Sequence, residues 1–140
     1  MIGGMSPTRV LIVAHRTAAT PLLLERVRAR AAEGSCAFTL LVPRRYWDPD
    51  TEESAETLEL ALPLLEEAAG GQVEGRIGDS DPFEAVKHEL EAGGYDEVIV
   101  STLPERVSHW LRRDLPSRVR GLGVPVTVVT AAGRGERTNA

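Results

Sequence analysis

Three residues whose types could do hydrolytic chemistry lie at or near the ends of apolar runs: His15, Asp79 and Ser101. A hydroxyl nucleophile, an imidazole base and a carboxylate that orients it would make a triad. The residues around Ser101 read VSTLPE and lack the GxSxG elbow that presents a nucleophilic serine, so the triad rests on residue types alone. Anion recognition is a second chemistry. Arg106, Arg112, Arg113, Arg118 and Arg120 crowd one short stretch, opposed there by Asp114. Together with Arg16, Arg44 and Arg45 they could hold phosphate or carboxylate through guanidinium forks. The same arginines also suit the solvated face of an amphipathic helix, and both readings stay open. Tyr46 and Trp47 could stack on a base or cover the end of a sheet. Trp110, at helical spacing from Val107 and Asp114, suits core packing or a dimer contact, and none of His15, His88 and His109 has the spaced partners a metal needs.

The elements that must position these residues follow from hydropathy. Residues 10–14 (VLIVA), 37–42 (AFTLLV), 97–100 (EVIV) and 124–129 (VPVTVV) are near-continuously apolar. Such runs predict parallel strands covered by helices on both faces. Residues 72–77 (QVEGRI) alternate, which predicts a strand nearer an edge. Thr20-Pro21 opens a helix that buries Leu23, Val27 and Ala31 and stops at Gly34. A second helix, 52–69, carries Leu58, Leu62 and Leu65 on one stripe, with Pro63 expected to bend or split it. Asp81, Pro82 and Glu84 make a capping-box-like start for a third, which turns Phe83, Val86 and Leu90 inward and ends at Gly93-Gly94. A last helix is expected over about 107–120, with a break near Pro116. The order β-α-β-α-β-α-β-α-β predicts an α/β fold: a Rossmann-like, doubly wound, five-stranded parallel sheet with helices on both faces. Residues 9–130 form the domain, between an N-terminal segment 1–8 and a polar C-terminal tail 131–140, both expected to be flexible.

Composition narrows the function. The 140 residues make one domain, and the net charge of −5 argues against a general nucleic-acid binder. Fifteen of the sixteen basic residues are arginine. The single cysteine, Cys36, opens an apolar run, so an inert thiol is expected rather than a nucleophile. No signal peptide or membrane-length apolar run is present, and a cytoplasmic location is expected.

In an open parallel sheet, ligands bind beyond the carboxyl ends of the strands where strand order reverses. The residues arriving there are Ala14, His15, Arg16 and Thr17, then Pro43, Arg44 and Arg45, then Gly78, Asp79 and Ser80, and finally Ser101, Thr102 and Leu103. From about Arg9 to Thr130 the chain resembles the universal stress protein family. The resemblance rests on the apolar first strand, Gly78-Asp79 with Pro82, YDEVIV at 95–100, and above all the proline-containing VPVTVV. It implies a five-stranded Rossmann-like sheet, a homodimer formed through the last strand, 124–129, and either an ATP-binding or a non-ATP-binding member. The family's ATP-binding spacing is glycine, two residues, glycine, nine residues, glycine, then Ser or Thr. Here it falls on Thr102, Glu105, Leu115 and Pro116, and none matches. Glycine lets backbone N–H groups approach phosphate, whereas Glu105 would set a negative charge beside it. The family's acidic residue after the first strand is also missing, since His15 and Arg16 follow Ala14. A one-residue slip brings Ser117 near the hydroxyl position but restores no glycine. The HxGH motif of related nucleotidylyltransferases and the SGGxDS loop of related pyrophosphatases are likewise absent after the first strand.

The expectation is therefore a regulatory or stress-response module that does not bind ATP in the usual family mode. The alternative is a binder of ATP, AMP or another anion with an Arg-based phosphate site. A small hydrolase comes third. Candidate ligand residues are Ala14, His15, Arg16, Val42, Gly78 and Asp79 from the first three strand ends. Ser101, Thr102, Arg106, Ser117 and Arg118 complete the set. An adenine nucleotide is the candidate cofactor and a small anion the candidate ligand; no metal, nucleic acid or membrane is expected.

Overall fold

A computed structural model describes residues 7–15, 17–44, 52–102, 110 and 113–130. Among the described residues, five strands, β1 (Thr8–Val13), β2 (Cys36–Pro43), β3 (Val73–Gly78), β4 (Glu97–Thr102) and β5 (Val126–Thr130), alternate with four helices. These are α1 (Pro21–Glu33), α2 (Glu52–Ala69), α3 (Pro82–Gly93) and α4 (Leu115–Arg120). All strand pairings are parallel, in the order β3-β2-β1-β4-β5. Strand order reverses between β1 and β4. The alternating 72–77 run lies at one edge of the sheet, as its pattern predicts, and the last strand lies at the other.

Two cores sandwich the sheet. Val10, Ile12, Leu40, Val42 and Ile99 pack against Leu23, Val27 and Leu65 of α1 and α2. Leu11, Val13, Leu41, Val98 and Val100 pack against Val86 of α3 and Leu115 and Val119 of α4. Successive residues of β1 point to opposite faces, and both faces are covered, which is why the run reads as continuously apolar. Ala61, Ala68 and Ala85 join the predicted leucine and valine stripes, because small side chains let the helices lie close to the sheet.

Several boundaries differ from the pattern, each for a local reason. α2 is one unbroken helix; Pro63 faces solvent, where the carbonyl that loses its hydrogen bond can be hydrated. Pro125 precedes β5, since it has no N–H for the ladder; its carbonyl accepts from the Val98 N–H at 2.9 Å. The break expected at Pro116 falls instead at Asp114, whose φ of 56° is left-handed, and Pro116 sits in the first turn of α4. Gly34 ends α1 in an extended conformation, whereas Gly94 closes α3 left-handed, with its N–H on the Leu90 carbonyl. Asp81 caps α3 by accepting from the N–H groups of Phe83 and Glu84, while its own N–H donates to Asp79 Oδ1 at 3.0 Å. Asp79 thus fills the return half of the capping box expected of Glu84.

The YDE of YDEVIV works at the sheet edge opposite the expected ligand edge. Asp96 accepts from the Arg9 N–H at 2.8 Å, and the Arg9 guanidinium lies 4.6 Å from the Tyr95 ring centre and donates to the Gly93 carbonyl. Tyr95 donates to Glu89 at 2.8 Å, and Glu89 pairs with Arg76 at 3.0 Å. Glu97 takes Arg30 through two bonds of 2.9 and 3.0 Å. These contacts tie β4 to β1, α1 and α3. Cys36 is half-buried, and burial holds its thiol pKa above the ordinary value, in keeping with an inert thiol.

Candidate functional site

The topological switch point is the gap between the carboxyl ends of β1 and β4. From β1 the chain enters a tight turn in which the Ala18 N–H donates to the His15 carbonyl and the Thr20 N–H to the Thr17 carbonyl, both at 3.2 Å. The Thr20 hydroxyl also donates to the Thr17 carbonyl at 3.0 Å rather than capping α1. This turn points Thr17 across the gap, where its hydroxyl meets the Ser101 hydroxyl at 2.6 Å. Both are buried, and the bond satisfies two hydroxyls that would otherwise be costly to desolvate. His15 is buried and turns toward the first turn of α2, its Nε2 lying 3.5 Å from Ser54 Oγ. Ala14, Val42 and Thr102 are buried as well; Thr102 completes β4 and pairs with Thr130.

The hydrolytic triad is not assembled. Ser101 is engaged by Thr17, His15 by Ser54, and Asp79 lies beyond β3. Asp79, just after β3, and Ser101, within β4, belong to strands three intervals apart, about 14 Å at the usual strand spacing.

Among the positions of the ATP-binding spacing, Leu115 and Pro116 are buried, and Leu115 belongs to the core on the α3 and α4 side. Ser117 and Arg118 are exposed on α4, and the Arg118 guanidinium lies 4.3 Å from the Phe83 ring centre. Arg118 therefore stands over the start of α3. Trp110 packs against the same core, as expected. Arg16, Arg45, Tyr46, Trp47, Glu105, Arg106, His109 and Arg112 lie outside the described residues.

Gly78 contributes packing. A Cβ there would lie 2.8 Å from Ala85 Cβ and 2.9 Å from Leu41 Cδ1, so its lack of a side chain lets α3 close on the end of β3. Beside it, a depression of about 450 Å³ is lined by Arg44, Ile77, Gly78, Asp79, Ala85 and His88. This hollow lies at the β3 end of the sheet, away from the switch point, and its walls carry both signs of charge. His88 is exposed and 3.8 Å from Glu84. No group of His, Cys, Asp and Glu among the described residues could hold a metal, and no described helix is long and apolar enough to cross a membrane.

Thr17 and Ser54 are the residues that residue-type reasoning passes over. Thr17 carries no motif, and Ser54 looks like any polar residue of a helix's first turn. Removing the Ser101 hydroxyl (Ser101→Ala) is expected to cost about 1–2 kcal/mol by stranding Thr17. Thr17→Val combined with Ser101→Ala should cost less than the sum of the two by about 1 kcal/mol, read from urea unfolding in a double-mutant cycle. Strict additivity would mean that the hydroxyl pair contributes nothing.

No protein-family model and no curated sequence matches the chain. Solved structures do. A universal stress protein in complex with cAMP superposes with a TM-score of 0.68 at 14% identity, over 91% of this chain and 100% of that one. The chain has the universal stress protein fold. A universal stress protein family protein of Arabidopsis thaliana with AMP bound gives 0.63 at 16% identity, over 91% and 94% of the two chains. The universal stress protein of Archaeoglobus fulgidus in complex with dAMP gives 0.53 at 16% identity, over 89% and 97%. On this fold the Thr17–Ser101 pair occupies the switch point between β1 and β4.

Proposed function

We propose that residues 9–130 form a cytoplasmic regulatory or stress-response module of the universal stress protein family. It acts by binding and does not hold ATP in the usual family mode. The observation that carries this reading is the burial of Leu115 and Pro116, which commits to the core the positions where a phosphate loop needs a bare backbone and a hydroxyl. The closed Thr17–Ser101 pair at the switch point supports it. We further propose a homodimer formed through the last strand. β5 is an edge strand, and pairing with its twin would satisfy an apolar edge that otherwise invites aggregation. Light scattering should then give twice the chain mass; a monomer at all concentrations removes the dimer.

A second reading is favoured by the AMP, cAMP and dAMP in the three similar structures. Here an adenine mononucleotide or another anion would be held by arginines, with Arg118, Arg16 and Arg106 as candidates. Two experiments on purified protein separate the readings. Denatured protein should release no nucleotide on chromatography. Thermal unfolding in excess ATP should also be unmoved. A ligand at a hundred times its Kd would add about 2.7 kcal/mol and raise Tm by roughly 10 °C. A rise of that size with AMP but not ATP would favour the second reading; one with ATP would defeat the first.

A further inference from the structure

The outward face of α2 carries an apolar ridge that is exposed among the described residues. Leu60 is 74% exposed and Leu64 is 42% exposed. Pro63 is exposed between them, so the three form one contiguous patch at helical spacing i, i+3, i+4. Their burial is not needed for the core, because Ala61, Leu65 and Ala68 already supply the buried side of the same helix. Isolated surface leucines are ordinary, whereas a contiguous ridge flanked by like charges on its own helix has the make-up of a surface a partner can cover.

The rim says what that partner is. Glu56, Glu59 and Glu67 are exposed around the ridge, and α2 contains six glutamates and no basic residue. Helix energetics do not explain all of them. Glu66 accepts from the Val73 N–H at 3.1 Å, but Glu67 stands in the last turn, where a negative charge opposes the helix dipole. A second copy of this chain pairing ridge to ridge would press glutamates against glutamates, so symmetry disfavours self-association here.

We propose that this face of α2 docks a basic amphipathic helix of another protein. The partner would carry one or two apolar side chains packed on Leu60 and Leu64, flanked by Lys or Arg reaching Glu56, Glu59 and Glu67. A helix is the matching shape because the ridge of one helix packs into the groove of another. The surface lies on the solvent side of α2, and the inference does not depend on whether the switch point holds a nucleotide.

The test uses the full chain and a fluorescent synthetic peptide with a leucine stripe flanked by lysines. Two controls accompany it: the same peptide with glutamates for lysines, and a scrambled peptide that breaks the stripe. Anisotropy should show saturable one-to-one binding of the basic peptide only. Leu60→Ser with Leu64→Ser should weaken it by about tenfold or more, while the protein stays folded by circular dichroism and the urea midpoint falls only modestly, by less than roughly 1 M. Glu56→Gln, Glu59→Gln and Glu67→Gln together should weaken it and flatten its salt dependence. Absence of saturable binding, equal binding by the scrambled peptide, or full affinity in the Leu60→Ser, Leu64→Ser protein would each overturn the proposal. So would a dimer that becomes monomeric in that variant, since the ridge would then belong to a second copy.

Discussion

Replacing Leu115 with glycine is expected to cost about 3–5 kcal/mol of folding stability, a large loss for a single side chain. The substitution installs the residue that the ATP-binding spacing requires at that position. In this chain Leu115 is 2% exposed and packs with Leu11, Val13, Val86 and Val119 in the core on the α3 and α4 side. Its removal loses buried hydrocarbon, leaves a cavity that the first turn of α4 cannot fill, and adds backbone freedom. The urea midpoint should fall by roughly 2 M at an ordinary slope. A loss below about 1 kcal/mol would mean that Leu115 is dispensable to the core, and the main support for the proposed binding mode without ATP would go with it.

Gly78→Ala is the second large effect, expected at about 1–3 kcal/mol by overpacking. The added methyl would fall 2.8 Å from Ala85 Cβ, which is fixed to the helix backbone, and 2.9 Å from Leu41 Cδ1, which can rotate away. The helix must therefore move. Ala85→Gly should relieve the clash, so the double variant should be more stable than the sum of the single losses predicts. Gly34→Ala is the control: nothing lies within 4 Å of its Cβ and its φ of 165° is extended backbone, so the change should be neutral or slightly stabilising. If Gly78→Ala left unfolding unchanged while abolishing the binding of a ligand, Gly78 would be a site residue and not a packing one.

The fold is legible in the sequence because its signals are local and redundant. Continuous apolar runs at 10–14 and 97–100 can be covered only on both faces, and Asp81-Pro82 can only open a helix. What is not legible depends on tertiary context. That Pro63 lies on the solvent side of an unbroken helix, or that Asp114 rather than Pro116 breaks the chain before α4, depends on which face the core claims. The candidate site is legible only as a ring of strand ends. The sequence puts Thr17 and Ser101 at strand ends, but only the adjacency of β1 and β4 brings one hydroxyl onto the other. His15 likewise looks available at a strand end and instead turns under α2 beside Ser54. Side-chain partners several elements apart leave no trace in spacing.

The most direct test of the proposal that this chain does not hold ATP in the usual family mode is calorimetric titration of the purified chain with ATP and magnesium, beside the Arg118→Ala protein. No saturable heat with ATP is expected for either protein. Saturable submillimolar ATP binding to the wild-type chain, lost in Arg118→Ala, would contradict that expectation and place a phosphate site on the arginines of α4.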